Sequence, residues 1–196
     1  MKQKLTLLFA AGLIALSSFA QTAKKKTAST DVKKGTLVGV SFSLSDFNAP
    51  KNFGGNSNAK SLAIKDMSAG IAISYWKGIT SKIDFSAKLN GIFHEYSAIF
   101  NNLPGKTEIG LEFEPTLNIR PIKDANMWAP FITVGAGVGL YTNRIGAYVP
   151  LGVGVQFNAS STTYLFLQAQ YKATLTPDVV GNNLFYSIGF AESIGK

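Results

Sequence analysis

Seven ionisable side chains near the middle of the chain carry the chemistry this sequence offers. Asp84, Lys88 and His94 occupy even-numbered positions of one segment, and Glu108, Glu112, Glu114 and Arg120 even-numbered positions of the next. That spacing puts each set on one side of an extended backbone, because successive side chains of a β-strand point to opposite faces. If the two segments pair as antiparallel neighbours, the turn between them fixes the register to within two residues. Lys88 then lies opposite or diagonal to Glu114, and Asp84 lies near Asn118 or Arg120, within the range at which cross-strand side chains interact. Enclosed charges must be paired, since an unpaired buried charge is costly. The chemistry expected is an ion-pair network, acting either as a structural plug or as a gate whose partners exchange. Carboxylates exceed bases in this set, which calls for sharing or bridging by water.

Other chemistries fit poorly. A hydrolase triad needs a nucleophile, a histidine and an acid in mutual reach. His94 is the only histidine, with Glu95 and Ser97 close by in sequence, but alternation points Glu95 away from the face that His94 occupies. No nucleophile-elbow pattern or cluster of metal ligands is present. Gly135-Ala-Gly-Val-Gly139 sits inside an alternating strand and opens no helix, so it is not a phosphate-binding loop. No catalytic residue, cofactor or metal site is expected.

The elements that would position these charges repeat along the chain. Alternation predicts eight strands: Thr36–Asp46, Met67–Trp76, Lys82–Tyr96, Thr107–Pro121, Trp128–Tyr141, Gly146–Asn158, Thr162–Thr174 and Asn182–Ala191. Most run to about ten residues or more, the length with which a tilted strand crosses a bilayer. Connections alternate in length, as in bacterial outer-membrane barrels. With the N-terminus in the periplasm, Phe47–Asp66, Ser97–Lys106, Thr142–Ile145 and Leu175–Gly181 face outward. Lys77–Ser81, Ile122–Met127 and Ala159–Ser161 are then periplasmic turns. The first outward connection is rich in Asn and Gly and is expected to be mobile and exposed.

Composition decides which face is inside. One face is mostly small, as in Gly39, Ser41 and Ser43, or Gly70, Ala72 and Ser74, or Gly152 and Gly154. Small residues suit the narrow lumen of an eight-stranded barrel. The other face is apolar, as in Val38, Val40 and Phe42, or Ile71 and Ile73, or Val149, Leu151 and Val153, with Glu95 its one charge. A charge near the bilayer midplane is destabilising, so this depletion reads as a lipid-facing surface. A soluble lipocalin-like barrel, apolar inside around a ligand, is the alternative and would show a charged outer face. Tyr75, Trp76, Phe93, Trp128, Phe157 and Tyr164 gather near strand ends, where aromatic rings settle in membranes. On this facing, serine at lumenal Gly154 should be tolerated better than arginine at lipid-facing Val153.

Residues 1–20 have the layout of a cleaved signal peptide. Lys2 and Lys4 precede the apolar run Leu5–Leu16, and small residues end at Ala20. Residues 21–35 form a basic Thr/Ala/Ser/Lys stretch expected to be a flexible, solvated spacer, and 36–196 the barrel domain. The net charge of +8 concentrates in the leader and spacer without interleaved aromatics, which excludes nucleic acid as the expected partner. With no cysteine in the chain, disulfides and thiolate metal sites are impossible.

The pattern resembles the small eight-stranded outer-membrane barrels, the kind forming the transmembrane domain of OmpA and the whole of OmpX. The likeness runs over Thr36–Ala191 and includes a closing segment, Asn183-Leu-Phe-Tyr-Ser-Ile-Gly-Phe190, similar to a terminal barrel strand. Phe190 is followed by six more residues, where many such barrels end on an aromatic. The Ala20-Gln21 junction and the style of the strands are similar to Bacteroidetes versions. The expected fold is therefore all-β, an eight-stranded antiparallel up-and-down transmembrane barrel. The expected role is that of a monomeric, non-enzymatic outer-membrane anchor displaying its loops, with a narrow pore for ions or very small solutes as the alternative. Outer-membrane lipid, lipopolysaccharide and the barrel assembly machinery are the partners this implies, and OmpA-type lumens imply a salt-bridge network among the seven ionisable residues.

Overall fold

The computed structural model describes residues 33–52, 64, 67–95, 107–121, 127–141 and 143–194, leaving out the side chains of 51, 52, 94, 95, 107 and 108. The expected signal peptide and most of the spacer lie outside these residues. Among the described residues nine strand segments follow one another: β1 Thr36–Asp46, β2 Ser68–Gly78, β3 Ile83–Glu95, β4 Thr107–Ile119, β5 Trp128–Gly135, β6 Gly137–Tyr141, β7 Arg144–Asn158, β8 Thr163–Thr174 and β9 Asn183–Ser193. Successive segments pair antiparallel, except that β5 and β6 both lie between β4 and β7, and β9 returns to pair with β1 from Leu37↔Ser193 to Asp46↔Leu184. The sheet closes on itself, and closure removes the unpaired edges that a bilayer would not tolerate.

Segments β5 and β6 are two halves of one stave, so the barrel has eight staves. Register runs unbroken across the gap at Ala136, from Thr116↔Gly135 to Phe113↔Val138 on the β4 side. On the other side it runs from Val134↔Leu151 to Gly137↔Tyr148. The expected single strand Trp128–Tyr141 is interrupted for a chemical reason. Register places Pro115 opposite Ala136 and Pro150 opposite Gly135, and proline has no N–H to give a ladder. Ala136 donates to the Pro115 carbonyl at 3.2 Å, but no bond can return.

The barrel is inverted relative to a soluble one. Val40, Ile71, Ile73, Leu89, Phe113, Ile132, Val153 and Ile188 stand exposed on its outside. Asp84, Asn90, Glu112, Glu114, Asn118, Arg120, Thr133, Gln170 and Lys172 are buried inside. An apolar belt around a polar interior is the surface that a hydrocarbon layer covers, and it excludes the lipocalin-like arrangement.

Two of the short turns share one device. Thr80 Oγ1 accepts from the backbone of Lys82 and Ile83 between β2 and β3, as Ser160 Oγ does from Thr162 and Thr163 between β7 and β8. At the opposite rim Asn143, at φ 66°, supplies the left-handed residue between β6 and β7 that asparagine adopts more readily than most side chains.

Several expectations need correction. The start of the Phe47–Asp66 connection is not exposed. Phe47 and Ala49 are buried, and Ala49–Asn52 makes one helical turn, α1, with Asp46 Oδ1 accepting from the Asn48 and Ala49 amides at 2.9 Å. Most of the rest of that connection lies outside the described residues. Trp76 is no interfacial ring but a lumenal one, 4 % exposed. Lys34, expected in a solvated spacer, is also buried inside the barrel.

Candidate functional site

The lumen is filled along its length by three layers of side chains. The layer at the end where β1 starts and β9 finishes is built from β2, β3, β5, β7 and β8, with Lys34 ahead of β1 and Arg120 just past β4. Asp84 receives Arg120 at 3.0 Å on one oxygen and Lys34 at 2.6 Å on the other. Lys34 also donates to Gln156. Trp76 stacks on Phe166, ring centres 4.3 Å apart, and Phe131 meets both edge-on. Offset and edge-on ring pairs are the favoured geometries, and these rings occlude what the ion pairs leave.

The middle layer is a hydrogen-bonded belt. Lys88 donates to Gln168 at 3.1 Å, Gln168 to Thr133 at 2.9 Å, Thr133 to Asn118 at 2.7 Å, and Asn118 to Ser86 at 2.9 Å. The belt crosses from β8 to β5 over β7, whose inward residues here are Gly152 and Gly154. Lys88 also reaches Glu114, its direct cross-strand partner, at 3.4 Å.

The third layer, toward the loop end, turns on Lys172 of β8. It bridges Glu112 at 2.6 Å and Glu114 at 3.4 Å. Glu112 further accepts from Tyr141 and Asn90, and Glu114 from Gln170 and Tyr148. Phe185 lies between the two lysines, with Lys88 4.6 Å and Lys172 4.1 Å from its ring centre. Phe47, Tyr141 and Val180 pack together above this layer.

Of the seven residues singled out by spacing, the structure gathers Asp84, Lys88, Glu112, Glu114 and Arg120 into these layers. Register sets His94 opposite Glu108, but their side chains lie outside the described residues. Sequence reasoning missed Lys172 and Lys34. Lys172 was visible as an inward-phased charge among Gln168 and Gln170, but its partners lie across the lumen, where strand pairing gives no guide. With both counted, the four cations Lys34, Lys88, Arg120 and Lys172 meet the three carboxylates Asp84, Glu112 and Glu114. The expected excess of carboxylates is therefore not seen among the described residues. Nor is Gly154 a roomy position, since an added Cβ would collide with the Phe131 ring and lie 2.8 Å from the Leu167 carbonyl oxygen.

Among the described residues no group of three or more His, Cys, Asp or Glu could hold a metal ion. What the arrangement can do is hold the lumen shut. Each of the four cations and three carboxylates in these layers faces an opposite charge, and most carry further hydrogen bonds, the condition under which such ions are tolerated.

Comparison with known structures gives the same architecture. The chain is similar to the N-terminal β-barrel domain of Pseudomonas aeruginosa OprF (TM-score 0.54, 8 % identity, 82 % of this chain and 98 % of that one). It is similar to Neisserial surface protein A (0.55, 12 %, 83 % and 99 %) and to the outer membrane protein OprG from Pseudomonas aeruginosa (0.53, 10 %, 84 % and 98 %). At these identities the likeness is one of fold, that of the small outer-membrane barrels. No family model matches the chain, and no curated protein matches it.

Proposed function

We propose that this chain is an integral outer-membrane barrel that acts as a closed anchor, holding its loops at the cell surface without conducting solutes. The observation that carries the reading is the series of lumenal layers, from Lys34–Asp84–Arg120 through the Gln168–Thr133–Asn118 belt to Lys172 between Glu112 and Glu114. An ion entering from either end meets buried, mutually neutralised charges rather than a single constriction. A narrow pore would need all three layers to part together.

The reading includes export behind residues 1–20, insertion by the barrel assembly machinery, contact with lipid and lipopolysaccharide, and a monomeric state. A Bacteroidetes origin rests on the Ala20-Gln21 junction and the style of the strands. The seven ionisable residues are assigned a structural role. No catalytic role is assigned to any residue.

Membrane fractionation with carbonate extraction, followed by an unheated and a heated detergent gel, tests the anchor. The expected result is recovery with the outer membrane and a heat-dependent shift in migration. Recovery in the soluble periplasm would overturn it.

A further inference from the structure

The terminal-side layer has the composition of a binding site for an organic cation. The Lys34 ammonium stands 5.9 Å from the Trp76 ring centre, 5.6 Å from that of Tyr164 and 5.6 Å from that of Phe166. Asp84 Oδ2 accepts from it at 2.6 Å, and Gln156 accepts a second bond. Tyr164, the Trp76–Phe166 stack and a carboxylate enclose one ammonium in a cage. Only one ring of the stack can turn its face to the charge, and the rings together displace its water. The two oxygen acceptors add a requirement for N–H donors, which selects a primary ammonium over a quaternary one.

The cage is independent of the lysine that fills it. Asp84 is held from its other oxygen by Arg120 at 3.0 Å, and the rings hold one another. Trp76 and Phe166 stack, Phe131 closes their edges, and Tyr164 tilts against Phe166 at 6.5 Å. Lys34 itself belongs to no strand. It stands two residues before β1, between exposed Lys33 and Gly35, with its carbonyl accepting from the Gly78 amide at 3.2 Å. Gly78 is required there, because a Cβ would come within 2.7 Å of the Lys34 backbone. A rigid cage thus holds a cation carried on a segment outside the barrel wall.

We propose that this mouth of the barrel is a primary-ammonium site, occupied in the resting protein by Lys34 as a tethered ligand and open to a free primary alkylamine once Lys34 is withdrawn. The segment before β1 is then an autoinhibitory stopper.

The test uses full-length Lys34→Ala protein refolded in detergent, in a Trp128→Phe background so that Trp76 is the only tryptophan. The probe is n-butylammonium, the side chain of lysine without its backbone. Its controls are tetramethylammonium, 1-butanol, and potassium chloride at equal ionic strength. The expected result is a saturable change in Trp76 emission with butylammonium, and binding weaker by about tenfold or more for tetramethylammonium, the loss of roughly one hydrogen bond to a charged group. The protein with Lys34 intact should show no such saturation over the same range. If Lys34→Ala does not refold alone, refolding yield becomes the readout, with recovery expected in butylammonium and not in the controls. The proposal is overturned if emission and yield are indifferent to butylammonium, or if butanol or potassium chloride acts equally well.

Discussion

Lys172 holds two carboxylates at once, and this makes it the residue whose loss the lumen should tolerate least. Replacing it with methionine keeps the stem, strands Glu112 without a cation in an enclosed space and leaves Glu114 to Lys88 alone. The expected cost is about 3–5 kcal/mol, the range for breaking a buried pair from one side. Lys88→Met should cost less, about 1–3 kcal/mol, because Gln170 and Tyr148 still donate to Glu114. Urea unfolding in detergent or lipid, compared for the two variants, checks the order. Equal costs would mean that Lys172 is not the hub. Gly154 gives a second test at this scale, since Gly154→Ser should lower stability and Phe131→Leu in the same chain should recover part of the loss. Independent, additive effects would show that the two positions do not meet. Alternation alone told that Gly154 faces inward. It could not tell that a ring from β5 already fills the space, because that depends on the rotamer of Phe131, the cross-strand neighbour of Gly154.

Among the described elements, the fifth stave works against its own ladder where it breaks. Pro115 and Pro150 flank the break at Ala136 and withhold N–H groups from the carbonyls of Ala136 and Gly135 at membrane depth, where unsatisfied groups are expensive. Pro115→Ala restores a donor, so its new amide should be protected from hydrogen exchange and the β4–β5 seam should exchange more slowly. An unprotected amide at position 115 would mean that register is not continuous across the break. The strands themselves were legible because each alternates over about ten residues, a period nothing but a half-buried strand sustains. Thr36–Asp46 is found as expected, and the other strand ends agree or differ by at most two residues, apart from the break at Ala136. The interruption could have been anticipated from the two prolines only once register had paired them with one stave. The burial of Phe47 was less accessible still, because it depends on Tyr141 of β6 and Val180 of the β8–β9 connection, both distant in sequence.

At the scale of the molecule, two surfaces explain the whole: an apolar outside that needs lipid and a charged inside that needs closure. Val153→Arg places a charge in the middle of the outer belt, where it should cost about 2–4 kcal/mol at the bilayer midplane. Refolding yield in lipid vesicles should fall sharply for this variant, while Val153→Leu should refold as the parent does. The inside-out facing was readable from composition, since small and polar residues on one face and aliphatic ones on the other leave a single assignment. That the lumen is filled was only half readable. The β3–β4 charges announced themselves, whereas Lys34 resembled part of a solvated spacer and Trp76 a membrane-interface ring. The most direct measurement of the central claim is ion conductance across planar bilayers holding the refolded barrel, its insertion confirmed by heat-dependent gel migration. A lumen closed by three successive layers should give current no greater than the bare bilayer. Discrete, repeatable conductance steps from the unsubstituted protein would contradict it.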